Sequence, residues 1–141
     1  FSKHFRVIAP CLRGFGDSDK PAGPYSPATV LNGLIFVSGQ GATDPKTGQL
    51  AGSDIESQTE QVLHNINAIL RAAGSDLNHV LRCNVYLIDI GEFARMNAVY
   101  SRMFGDNRPA RTTVQVSALP GAGLRVEIDA MGYANPTPLM E

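Results

Sequence analysis

Apolar residues recur at helical spacing after Ser53 and predict the longest helix of the chain. Ser53 and Glu56 form a capping-box pattern that marks its start, and Gly74 can end it in a left-handed conformation. The apolar stripe between these ends consists of Ile55, Thr59, Val62, Leu63, Ile66, Ile69, Leu70 and Ala73. A single stripe predicts a helix that packs on one surface.

The stretch GEFARMNAVYSRMF, residues 91–104, predicts a second helix that ends before Gly105. Its apolar side comprises Phe93, Met96, Tyr100, Met103 and Phe104. Other stretches alternate or run apolar over strand lengths: FRVIAP, GLIFVSGQ, HVLRCNVYLIDI, ARTTVQVSAL and LRVEIDAMGY. The predicted order is therefore roughly β-β-α-β-α-β-β.

Two amphipathic helices can cover only one face of a sheet of about four or five strands. In the last strand, alternation with a period of two places four residues on the face toward the helices: Leu124, Val126, Ile128 and Ala130. The opposite face is predicted to carry Arg111, Thr113, Gln115, Arg125, Glu127 and Asp129. A face this polar meets either water or another subunit.

The composition indicates one globular domain. The chain has 141 residues, 43% of them hydrophobic, and 12 basic against 13 acidic residues give a net charge of −1. This balance argues against a nucleic-acid or anionic-membrane partner. No apolar run approaches the roughly 20 residues of a membrane span, and the first residues lack the layout of a secretory signal. We therefore expect a cytoplasmic protein.

The cysteines and histidines predict neither a disulfide framework nor a metal site. Cys11 and Cys83 are far apart in the sequence, and the three histidines show no ligand spacing. Cys83 is in phase with Leu81, Val85 and Leu87, which predicts a buried thiol.

Arg111 raises the central question of the sequence, because a full charge on a strand needs an anionic partner or water. The alternation places Arg111 on the same face as Glu127, and their strands can be neighbours. Two interpretations remain open at this point. The two side chains form a cross-strand ion pair, worth under about 1 kcal/mol when exposed, or Arg111 binds an anionic ligand and Glu127 acts as a base or positions a water.

Four motifs, in this order, resemble those of the Rid family of reactive-intermediate deaminases (the YjgF/YER057c/UK114 group): GPYSPA, FVSGQGATDPKTGQL, PARTTV and RVEIDA. The resemblance extends from about Gly23 to Tyr133. It implies an α+β, chorismate-mutase-like (YjgF-like) fold, with a mixed sheet and two helices packed on one face. It also implies a homotrimer with one ligand pocket at each subunit interface.

The resemblance implies a hydrolase active in metabolite damage control, which converts small reactive 2-imino acids and enamines of the 2-aminoacrylate type to 2-keto acids and ammonia. Arg111 would bind the substrate carboxylate, and Glu127 would orient the attacking water. The implied substrate-binding residues are Tyr25, Ser38, Gly39, Phe93, Asn97 and Thr113. No metal or organic cofactor is expected, because an iminium carbon is already electrophilic. The implied partners are the 2-imino acid or keto acid and two further copies of the chain.

Two alternatives to an enzyme remain open. The protein can be a non-catalytic trimer that binds carboxylate ligands through Arg111, or a chaperone-like protein that depends on exposed apolar surface. An RNA-cleaving role, also reported for relatives, has no support from the sequence, because the basic residues are scattered.

The first residues are atypical for the family. The segment FRVIAPCLRGFGDSDKP resembles a fragment of α/β-hydrolases but carries Cys11 where those enzymes carry aspartate, and no nucleophile elbow follows. We therefore expect residues 1–22 to supply a first strand and a loop, residues 23–134 to form the deaminase domain, and residues 135–141 to be a tail.

Overall fold

The structure, a computed structural model, describes residues 24–134 and the backbone of residues 6–8. Cys11, most of the hydrolase-like segment and the predicted tail lie outside the described residues. Within them the chain forms β1 (Arg6–Ile8), β2 (Ala28–Leu31), β3 (Leu34–Gln40), α1 (Ile55–Ala72), β4 (Val80–Leu87), α2 (Phe93–Phe104), β5 (Ala110–Gln115) and β6 (Val126–Tyr133). Short 3₁₀ turns at Leu77–His79 and Ile90–Glu92 precede β4 and α2.

The strands join in one mixed sheet in the order β1-β2-β3-β6-β4-β5. Neighbouring strands are antiparallel except for β4 and β5, which are parallel and connected by α2. A parallel connection needs a crossover of this kind. The sheet with two helices on one face confirms the predicted α+β fold.

The second strand was missed by the sequence pattern, because the segment before Gly33 contains many proline and glycine residues. Its signal was the Asn-Gly pair between two apolar runs. Asn32 and Gly33 have φ angles of 50° and 81°, as a two-residue type I′ turn requires. This turn joins β2 to β3. The predicted first strand is present over Arg6–Ile8 and pairs with β2.

The ends of α1 correct one detail of the prediction and confirm another. The cap is Asp54, whose side chain accepts a 2.8 Å hydrogen bond from the main-chain N–H of Ser57. The predicted Ser53 capping box is wrong, since the helix begins one residue later. At the other end, the main-chain N–H of Gly74 and of Ser75 donate to the carbonyls of Arg71 and Leu70. With a φ of 82° at Gly74, this is the predicted left-handed cap.

The core lies between the two helices and one face of the sheet. Its fully buried side chains include Val62, Leu63, Ile66, Leu70, Met96, Val85, Leu87, Val126 and Ile128. Cys83 is buried as predicted, but Leu81 is exposed because the pairing of β4 with β6 is irregular between Val80 and Arg82. The predicted helix-facing positions of the last strand are confirmed by the burial of Val126, Ile128 and Ala130.

The predicted face of Arg111 is wrong. Strand β4 lies between β5 and β6, and Cys83 pairs with Arg111 on one side and with Ala130 on the other. Paired residues share a face, so Arg111 and Thr113 lie on the helix side. The alternation misled because β5 is an edge strand, where Val114 is exposed on the open face.

Of the remaining face assignments, that of Gln115 is wrong, and those of Glu127 and Asp129 are confirmed. Gln115 also lies on the helix side, where its side-chain oxygen accepts a hydrogen bond from the main-chain N–H of Ile90. Arg125 precedes β6 and forms a bidentate ion pair with Glu92. Glu127 and Asp129 lie on the open face, as predicted, because their neighbours along β6 are buried.

Replacing Asp54 by alanine should lower the melting temperature by about 3 °C, because the first turn of α1 loses its side-chain cap. The hydrogen bonds from Ser57 hold the pKa of Asp54 below its ordinary value of 3.8. The ionised Asp54 carboxylate therefore stabilises the fold above pH 3.8, and this stabilisation is lost as the pH falls and the carboxylate is protonated. The difference in melting temperature between the variant and wild type should accordingly shrink in acid. Thermal melts at several pH values measure this. Ser53→Ala is the matched control, and an equal loss in that variant contradicts the assignment of the cap.

Candidate functional site

Helix α2 holds the guanidinium of Arg111 from one side. Nη1 of Arg111 donates a 2.8 Å hydrogen bond to the Oδ1 atom of Asn97. Its central carbon lies 4.6 Å from the ring centroid of Tyr100 and 5.4 Å from that of Phe93. Asn97 and Tyr100 follow Phe93 by four and seven residues along α2, so the three side chains share one helix face. An amide and two aromatic rings fix the guanidinium without neutralising its charge.

A cavity of about 380 Å³ opens beside Arg111, between the end of α2 and the start of β5. Its lining comprises Asn97, Tyr100, Ser101, Phe104, Gly105, Asn107, Arg108, Pro109 and Arg111. No carboxylate is part of this lining, and Arg111 forms no ion pair with the residues that the structure describes. The arrangement can therefore bind a small anion by charge and by the planar fork of the guanidinium.

Three buried polar groups belong to the same region. Burial raises the pKa of the Cys83 thiol to about 11 and also raises the pKa of Tyr100. The hydroxyl of Tyr100 and the Oγ1 atom of Thr113 have no hydrogen-bond partner among the described residues. The thiol is therefore neutral near pH 7 and is not a nucleophile here.

Glu127 lies on the open face, against a main-chain irregularity of β3. The pairing of β3 with β6 shifts between Val37 and Gln40, so Ser38 and Gly39 together oppose one residue of β6. A bulge of this kind is common beside functional sites. A Cβ atom at Gly39 would collide with Oε1 of Glu127. Glycine at this position leaves the room that the carboxylate occupies.

The surroundings of Glu127 make its charged form less favourable than that of a carboxyl group in water. Burial raises its pKa above the ordinary value of 4.5, and the negative charge of Asp129 adds to the shift. The carboxylate of Asp129 accepts hydrogen bonds from the side chains of Asn84, at 2.9 Å, and Tyr86, at 2.8 Å. A carboxylate with a raised pKa can exchange a proton with a substrate more easily than an ordinary one can.

Tyr25 and Ser38 line a second, shallower cleft of about 270 Å³. Its other lining residues are Ser26, Thr29, Phe36 and Val37. The hydroxyl of Ser38 donates a 2.6 Å hydrogen bond to the carbonyl of Ser26, which ties β3 to the segment before β2. The side chain of Tyr25 is 72% exposed, so it can contact a ligand or a second copy of the chain.

The sequence-predicted residues thus form two groups within one chain. The Arg111 group consists of Phe93, Asn97, Arg111 and Thr113, on the helix side of the edge strand. The Glu127 group consists of Tyr25, Ser38, Gly39 and Glu127, around β3 and β6. The ion pair between Arg111 and Glu127 does not form, because β4 separates their strands and the side chains lie on opposite faces. Of the two interpretations of Arg111, the structure excludes the cross-strand pair.

Comparison with known proteins identifies the family. The family described as Endoribonuclease L-PSP matches residues 16–134. The chain belongs to this family. It is the Rid (YjgF/YER057c/UK114) family that the four motifs indicated.

Individual relatives cover most of the chain. A RutC family protein from Pyrococcus horikoshii is 50% identical over 117 residues, which are 83% of this chain and 92% of the relative. The human 2-iminobutanoate/2-iminopropanoate deaminase is 41% identical over 114 residues, which are 81% of this chain and 82% of that protein. The crystal structure of E. coli TdcF with bound serine has a TM-score of 0.78 at 30% identity, and covers 92% of this chain and 99% of TdcF.

The described residues show no feature of a membrane-spanning helix or of a clustered metal site. No helix among the described residues is long and apolar enough to cross a membrane. The same part of the chain contains no group of three or more His, Cys, Asp or Glu side chains placed to hold a metal ion.

Sequence reasoning did not place Tyr100 or Arg108 at the Arg111 cavity. Tyr100 was predicted as part of the apolar side of α2, and it does lie in the core, but its ring also stacks on Arg111. Its spacing from Asn97 and Phe93 was the available signal. Arg108 also lines the cavity, and its position three residues before Arg111 was the signal for it.

A carboxyl titration by NMR should place the pKa of Glu127 above 4.5. Asp129→Asn should lower it, because a negative neighbour is removed, yet leave it raised, because burial is the larger cause. Asp44→Asn, in the loop after β3, is the control and should not move the titration. A Glu127 midpoint at or below the ordinary value contradicts this electrostatic account.

Proposed function

We propose that the protein is a hydrolytic deaminase that converts small reactive 2-imino acids and their enamine tautomers to 2-keto acids and ammonia. The observation that carries the proposal is the guanidinium of Arg111, which Asn97 and Tyr100 fix beside a cavity and which has no carboxylate partner among the described residues. A fixed, unpaired guanidinium is suited to a substrate carboxylate. The name of the human relative, and the serine bound to TdcF, support the same class of ligand.

The chemistry needs a bound carboxylate and one positioned water. In the proposed reaction the water oxygen adds to the imine carbon and gives a proton to Glu127. Glu127 passes this proton to the nitrogen of the carbinolamine that forms from the protonated imine. The carbon–nitrogen bond then breaks, the hydroxyl proton goes to solvent as the carbonyl of the 2-keto acid forms, and ammonia leaves. Orientation of the substrate by Arg111 and of the water by Glu127 supplies the acceleration.

Arg111 and Glu127 can act on one substrate only if two copies of the chain meet. We therefore propose a homotrimer in which the Arg111 group of one subunit faces the Glu127 group of the next. The open face of the sheet supports an assembly, because Leu34, Phe36 and Val114 are large apolar side chains exposed on it. The pocket of the proposed trimer also contains Tyr25 and Phe93, whose rings are partly exposed in the single chain.

A non-catalytic carboxylate-binding protein is the second candidate. The observation in its favour is that the Arg111 group is complete within one chain and does not include Glu127. Such a protein depends on Arg111 and tolerates loss of the Glu127 carboxylate. The two candidates therefore differ in whether the wild-type protein releases ammonia from an imine and in whether that activity depends on Glu127.

Arg111→Ala should lower kcat/KM for 2-iminobutanoate by about 100-fold or more, because the variant loses a bidentate charged contact. The imine is generated by an amino-acid oxidase, and ammonia release is followed. Arg102→Ala is the matched control, since Arg102 is an exposed arginine of α2 whose partner is Glu60. Glu127→Gln should lower turnover by about 100-fold while 2-oxobutanoate still binds. Binding of 2-oxobutanoate without any release of ammonia in wild type supports the non-catalytic candidate. Full turnover in Glu127→Gln contradicts the proposed role of Glu127.

Mixing two inactive variants tests the shared site. Arg111→Ala and Glu127→Gln chains are co-expressed in equal amounts and purified as one assembly. Half of the chains then keep Arg111 and half keep Glu127, so about one interface site in four combines both intact residues. Recovery of about a quarter of the wild-type activity is expected. No recovery in a sample shown by sedimentation to contain mixed trimers means that both residues act from the same chain.

A further inference from the structure

We propose that Arg108 is a second anion-binding group of the Arg111 cavity and that it gives the protein a preference for 2-imino acids with a second carboxylate, such as the imines of aspartate and glutamate. The preference for turnover rests on the proposed function. The anion site itself rests on the cavity alone.

The two arginines line the same cavity and are close together along the chain. Both line the cavity of about 380 Å³, and Pro109 stands between them with Ala110. The proline ring fixes its own φ angle and keeps the preceding residue, Arg108, extended. Arg111 then follows as the second residue of β5. The backbone between the two residues therefore has little freedom, which keeps both side chains at the same end of the cavity.

The charges around the cavity favour a doubly charged ligand. Within residues 24–134, its lining contains two guanidinium groups and no acidic side chain. Other arginines near α2 already have partners: Arg95 binds Glu56, and Arg102 lies 3.5 Å from Glu60. Arg108 forms no ion pair within the part of the chain that the structure describes. The nearest acid in sequence, Asp106, is exposed and does not line the cavity.

A dicarboxylic 2-imino acid matches this wall. Its first carboxylate, next to the imine carbon, would bind Arg111, as in the proposed reaction. Its second carboxylate, one or two methylene groups further on, would reach Arg108. The volume is in the range of small-molecule sites. Because Arg108 is exposed, its contribution is expected to be moderate and to weaken as salt concentration rises.

The first experiment measures the substrate preference. The ratio of kcat/KM for 2-iminosuccinate, generated by an aspartate oxidase, to that for 2-iminobutanoate is determined in wild type and in Arg108→Gln. The ratio should fall by about fivefold in the variant, mainly through KM. Arg102→Gln removes the same charge from an arginine outside the cavity and should leave the ratio unchanged. A loss that is equal for both imines, or an unchanged ratio in Arg108→Gln, overturns the proposal.

The second experiment separates this inference from the proposed function. Calorimetry compares the binding of 2-oxoglutarate and 2-oxobutanoate, which needs no turnover. The second anion site is supported if wild type binds 2-oxoglutarate more tightly than 2-oxobutanoate and this difference is lost in Arg108→Gln and reduced at high salt. If that result is obtained and neither imine is hydrolysed, only the deaminase proposal fails. Equal binding of the two keto acids overturns the second anion site and leaves the deaminase proposal standing.

Discussion

The contact between α2 and Arg111 is the interaction on which the candidate site depends. An arginine on an edge strand can lie in water or pair with a neighbouring acid, and either outcome would leave it unsuited to a specific ligand. Here Asn97 accepts one hydrogen bond and Tyr100 lies under the guanidinium plane. Neither partner carries a charge, so the attraction for an anion is kept while the side chain loses its freedom.

The strand order explains why a complete site is not found within one chain. The parallel pairing of β4 with β5 places Arg111 at one edge of the sheet, whereas the bulge at Ser38 and Gly39 makes room for Glu127 near the other side. The two groups also face away from each other across the sheet. The fold therefore keeps the two groups apart within one chain, and the proposed trimer would bring them together.

Much of the fold could be predicted from the sequence, because its helices have wide apolar stripes and its last strand alternates strictly. The helices end at Gly74 and Gly105 because glycine readily adopts a positive φ angle, which is 82° and 59° at these two residues. Prediction failed where local pattern and tertiary pairing disagree. The apolar positions of β5 face outward, since an edge strand need not bury them, and the face of Arg111 was inverted as a result.

The candidate site was predicted in content but not in arrangement. Periodicity alone could not decide which strand lies between Arg111 and Glu127, because strand order is set by long-range packing rather than by local sequence. The four motifs supplied the residues through the family. The position of Tyr100 against Arg111 needed three-dimensional contacts, since a buried aromatic on a helix has the same pattern whether or not it touches a cation.

The burial of Cys83 has a chemical consequence for a protein of this family. A nearby guanidinium ordinarily promotes thiolate formation, and Arg111 pairs with Cys83 across neighbouring strands. At Cys83 the loss of hydration outweighs that influence and the sulfur stays protonated. The residue therefore fills space behind Arg111 and resists oxidation and alkylation, because these reactions proceed through the thiolate.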